Sequence, residues 1–118
     1  MEVNNIMENQ KEIIGQLSED DVKKLVNMHP KSSSAIFGNE EGEMFCVYLK
    51  KVDREIFTAA NKIYNSKDEV TTAEYLLMNI WIGGYPVEAI LKDFDALKNC
   101  AATIMPVLFV KAGELKKN

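Results

Sequence analysis

A chain of 118 residues with 47% hydrophobic residues and a net charge of −4 has the size and composition of one small domain with a modest core. One His, one Trp, two Cys and a single arginine, Arg54, leave little for metal or nucleophilic chemistry, and a pI near 5.0 argues against a general nucleic-acid binder. No run approaches the roughly 20 apolar residues of a membrane span, and the start MEVNNIMENQKE lacks the basic-then-apolar pattern of a secretory signal.

In chain order, Ile6, Ile13 and Ile14 are spaced for an amphipathic helix, although the same segment suits an arm that orders on a partner. Ser18 is placed to cap a helix, with Glu19, Asp20 and Asp21 at the positive end of its dipole. Leu25, Val26 and Met28 extend its apolar stripe, and Pro30 stops it. Residues 1–31 are therefore expected to form an N-terminal helical extension. Residues 32–118 are expected to form a single α+β domain, mainly helical with one β-hairpin.

Ser32–Ser34 reads as a linker. Ala35–Phe37 and Glu43–Leu49 read as the strands of the hairpin, joined by Gly38-Asn39-Glu40-Glu41-Gly42. Met44, Cys46 and Tyr48 fall on one face of the second strand, and Phe45, Val47 and Leu49 on the other. Both faces are apolar, so the strand should be covered on both sides or pair with another chain.

Asp53 is placed to cap a helix over 54–65, with a stripe of Ile56, Phe57, Ala60, Ile63 and Tyr64. Thr71 with Glu74 reads as a capping box before an apolar helix that runs to Ile82 and ends at Gly83-Gly84. Pro86 suits the first turn of the next helix, with Val87, Ile90, Leu91 and Phe94 on its apolar face. Residues 96–105 continue as helix to Pro106. Strand and helix compete over Val107–Val110, and a basic tail follows from Lys111.

The residues that advertise chemistry are few. His29 is expected at a helix end, without the orienting partner and nucleophile that catalysis needs. Asp93 and Asp95 lack the other ligands of a calcium loop. Glu40, Glu41 and Glu43 suit a solvated turn. Gly83-Gly84 lacks the spacing of a phosphate loop. Cys46 and Cys100 sit in apolar runs and are expected to be free, buried thiols, consistent with the cytoplasm. The expectation is a protein with no active site, no cofactor and no metal. Its candidate partner-binding residues are Phe45, Val47, Leu49 and Trp81, the last because tryptophan is enriched at interface hot spots.

Three segments resemble a group of small phage and prophage proteins, the tail assembly chaperones and tail-associated proteins. The first is Tyr48-Leu49-Lys50-Lys51-Val52-Asp53-Arg54 leading into Ala59-Ala60. The second is Glu74, Leu77, Asn79 and Trp81-Ile82-Gly83-Gly84. The third is Lys111-Ala112-Gly113-Glu114-Leu115-Lys116-Lys117. Together they span residues 36–118. The resemblance implies a non-enzymatic, often oligomeric chaperone that binds the hydrophobic tape-measure protein in the host cytoplasm. A structural tail or connector component of the virion, and a small regulator or inhibitor of a host protein, are the alternatives. No nucleic acid or membrane is expected as a partner.

Overall fold

The structure, a computed structural model, describes residues 12–110. Strand β1 is Ile13–Ile14, helix α1 Glu19–Met28, strand β2 Ser33–Gly38 and strand β3 Met44–Leu49. Helices α2 (Arg54–Ser66) and α3 (Glu69–Ile80) follow, then strand β4 (Trp81–Gly84) and helices α4 (Val87–Lys92) and α5 (Phe94–Met105). A π-helical turn over Pro106–Val110 closes the described chain. The class is α+β and mainly helical, as the sequence predicts.

The apolar run Met44–Leu49 becomes the middle strand of the sheet. β2 pairs with it antiparallel along its whole length, from Ser33 opposite Leu49 to Gly38 opposite Met44. Its other edge is shared. β1 takes the first part in parallel, with Ile13 opposite Met44, and β4 takes the rest antiparallel, with Tyr48 opposite Gly83 and Leu49 opposite Trp81. Phe45, Val47 and Leu49 join Ala35 and Phe37 in one core with Leu76, Leu77 and Ile80 of α3 and Leu97, Cys100 and Ile104 of α5. Cys46 and Tyr48 are also buried. The segment that holds β1 and α1 covers their side of the sheet: the Tyr48 hydroxyl accepts the Leu17 N–H at 3.0 Å, and Leu17 and Leu25 lie over Gly83. One chain therefore covers both faces of the strand.

Capping residues fix where the helices begin. Ser18 Oγ accepts the Asp21 N–H, and Asp53 Oδ1 accepts the Ile56 N–H at 2.8 Å, at the predicted starts. The next start differs from prediction. Asp68 caps α3, its Oδ1 accepting the Thr71 N–H at 2.7 Å, so Thr71 lies within the first turn. Starting there buries Thr72, Ala73, Leu76 and Leu77 on one side of α3. Asp93 ends α4 and caps α5, breaking what the sequence suggests is a continuous helix. Phe94, expected on the apolar face, is 63% exposed as a result.

Four further expectations are corrected. Residues 13–14 are strand and add directly to the sheet, so no helix runs through them; residues 1–11 and the tail from Lys111 lie outside the described residues. Ser33 and Ser34 belong to β2 and are no linker. α1 buries none of its residues, because it touches the sheet only along the Val22 and Leu25 side and leaves Val26 and Met28 outward. α3 stops at Ile80, and Trp81–Gly84 turns extended to pair with β3, which the two glycines permit by allowing close backbone approach. At Val107–Val110 helix prevails over strand, in the form of the π turn.

The Asp68 carboxyl is held below its ordinary value, first by the Thr71 N–H and then by the Thr71 side chain. A carboxylate with a lowered folded pKa adds stability above its unfolded value near 3.8, and loses that contribution as pH falls through the folded value. Wild type should therefore lose stability relative to Asp68→Asn below about pH 4, as read by denaturant midpoints across an acid series.

Candidate functional site

The predicted partner residues have different fates. Phe45, Val47 and Leu49 are 2%, 0% and 1% exposed, so the expectation that they face a partner is corrected: they fill this chain's own core. Phe45 stacks on Tyr85 with ring centroids 4.2 Å apart and meets Phe37 at 5.8 Å. Trp81 is half-buried at the start of β4. Its indole N–H donates to the Tyr85 carbonyl at 2.8 Å while its ring packs against the core. It stitches β4 to the turn that follows.

The two thiols are sequestered. Both cysteines are free and buried, and burial pushes the Cys100 thiol up to about 12. A thiol of that pKa has almost no thiolate at neutral pH, so it is a poor nucleophile. Native protein at pH 8 should leave both thiols unlabelled by Ellman's reagent, and unfolding in guanidinium should release both; rapid native labelling would contradict the burial. His29 caps the end of α1, as expected, through its backbone N–H to the Leu25 carbonyl at 2.7 Å.

Charge is segregated along the hairpin. At its tip, Asn39 organises the turn: its Oδ1 accepts the Glu41 and Glu43 N–H groups, and its Nδ2 donates to the Glu43 carboxylate. Glu40 and Glu41 share a shallow hollow of about 90 Å³ with Asp93 and Asp95. Burial raises the Tyr85 hydroxyl, with smaller contributions from Asp93 and Glu43. Among the described residues no three His, Cys, Asp or Glu side chains are grouped to hold a metal. At the other end, Lys31, Lys50 and Lys51 line a cleft of about 370 Å³ with Met28, His29 and Pro30. Sequence reading misses this polarity, since each cluster joins residues that lie far apart along the chain.

Helix α2 leaves much of its surface open. Of its predicted stripe only Ala60 is buried, while Phe57 and Tyr64 are 42% and 40% exposed. α2 packs chiefly on α3, at the margin of the fold. Its outer side presents Arg54, Glu55, Thr58, Ala59, Lys62 and Ile63 as one open stripe. Ala59 and Ile63 give this stripe an apolar centre, and charged residues of both signs flank it. No described helix is long and apolar enough to cross a membrane.

Comparison with protein-family models, with curated proteins and with solved structures returns no match for this chain.

Proposed function

We propose that this chain is a non-enzymatic phage or prophage tail assembly protein, a chaperone that holds a hydrophobic helical partner such as the tape-measure protein in the host cytoplasm. The observation that carries the reading is spatial. The first two resembling segments lie side by side, because Leu49 and Tyr48 of β3 pair with Trp81 and Gly83 of β4. The first segment then runs into α2, where Arg54 and Ala59 belong to the open stripe. A stripe with an apolar centre and charged flanks suits an amphipathic helix packed along it.

The reading expects a long helical protein to be encoded beside this gene, and co-expression with that protein tests it. A stoichiometric complex that co-purifies, together with absence of this chain from purified particles by mass spectrometry, is the expected result. Failure to form any complex overturns it. Presence in particles at fixed copy number points to a structural tail component.

A further inference from the structure

Among the described residues, no strand pairs with the outer edge of β2. The Asn39 N–H donates to the Glu43 carbonyl at 3.1 Å in register with the β2–β3 ladder, so Ser33, Ala35 and Phe37 bond inward by alternation. Ser34, Ile36 and Gly38 then turn their backbone groups outward. Gly38 confirms the phase, since its carbonyl accepts the Asn99 side-chain amide at 2.7 Å. No hydrogen bond from any described residue reaches the outward groups of Ser34 or Ile36. The usual guards of a free edge are missing as well: Ser33–Gly38 holds no charge, no proline and no bulge. Ile36 is 41% exposed beside this edge, and Val107 of the π turn, 67% exposed, borders the Ser33–Ala35 stretch on the core side.

We infer that β2 pairs antiparallel with the β2 of a second copy of this chain across a two-fold axis. Charge complementarity selects that occupant and that direction. The strand begins beside Lys31, Lys50 and Lys51 and ends at the acidic turn bearing Glu40 and Glu41, so an antiparallel partner sets the basic end of each copy against the acidic end of the other. A parallel partner sets like charges together. Residues opposed across a two-fold antiparallel pair share a face, and centring the pair on Ile36 meets this condition. Ile36 then opposes itself, Ser34 opposes Gly38 of the second copy, and the turn bearing Lys31 faces the turn bearing Glu40 and Glu41 of the second copy. The Gly38 carbonyl has a second lone pair for this bond. The inference holds whether or not the tail-assembly reading does, since it rests on the sheet edge and its charges alone.

Sedimentation equilibrium of the full chain between about 1 and 200 µM, a range suited to a small interface, tests it. The mass should rise from 13.3 kDa toward twice that value. Ile36→Lys places two cations in contact and should hold the protein monomeric throughout, with the melting temperature unchanged because Ile36 is a surface residue. Lys31→Glu should weaken the dimer roughly tenfold, and adding Glu41→Lys should restore it. A wild type that stays monomeric across the range, or a dimer that survives Ile36→Lys, overturns the inference. A charge swap that fails to restore the dimer overturns the antiparallel arrangement.

Discussion

Replacing Gly84 with alanine should cost about 3–5 kcal/mol of folding stability, from positive-φ strain plus a steric clash. Gly84 has φ +94°, a region that costs an ordinary residue roughly 1–2 kcal/mol. A Cβ there would meet the Cys46 carbonyl oxygen at 2.4 Å and the Val47 Cα at 2.9 Å. Both are backbone atoms in the middle strand and cannot swing aside. The chain must instead draw β4 away from β3, which also strains the 2.8 Å bond from the Tyr85 N–H to the Cys46 carbonyl. Domains of this kind have roughly 5–15 kcal/mol in total, so the melting temperature should fall by more than about 10 °C. The neighbouring Gly83→Ala is the control. Its Cβ meets a Leu25 methyl at 3.3 Å, the movable end of a flexible side chain, and should cost within about 1 kcal/mol. Equal melting of the two variants would contradict the β3–β4 pairing.

Phe45→Ala should be comparably severe, at about 3–5 kcal/mol in denaturant unfolding. The ring lies between Phe37 and Tyr85, and truncation leaves a cavity bounded by side chains that are themselves tightly packed. Ile36→Ala on the neighbouring strand removes a half-exposed side chain and should cost less than about 1 kcal/mol. The contrast separates two readings of the apolar strand. If Phe45 faced a partner, its loss would spare stability and cost binding. As a core residue, its loss lowers stability whether or not a partner is present.

The elements legible in the sequence are those with local causes. The hairpin shows in its continuous apolar run and glycine-bearing turn, and its two faces are divided as predicted. The starts of α1 and α2 show in Ser18 and Asp53, whose side chains bond backbone groups three residues on. What escaped has causes distant in sequence. Trp81-Ile82 prolongs an apolar run that suits a helix, and only the edge of β3, more than thirty residues earlier, draws it into a strand. Ile13-Ile14 is recruited by the same strand. The apolar character of Phe45, Val47 and Leu49 announces burial without saying what does the burying, and α3 and α5 turn out to do it. The exposed side of α2 was illegible for the same reason: an amphipathic stripe does not reveal how much of it finds a neighbour. The opposed charges at the two ends of the hairpin likewise exist only once the chain has folded.

The claim that this protein acts by binding a helix along α2 is tested most directly by affinity measurements on one surface variant. Thr58 is exposed and lies in the open stripe of α2, so Thr58→Lys alters the surface and leaves the core untouched. Wild type and Thr58→Lys would be titrated calorimetrically with a purified helical segment of the partner that the proposal expects a neighbouring gene to encode, alongside thermal melts of both. The account predicts a wild-type complex, affinity at least about tenfold weaker for the variant, and matching melting temperatures. Equal affinity for the two proteins, or no binding by wild type, would contradict it.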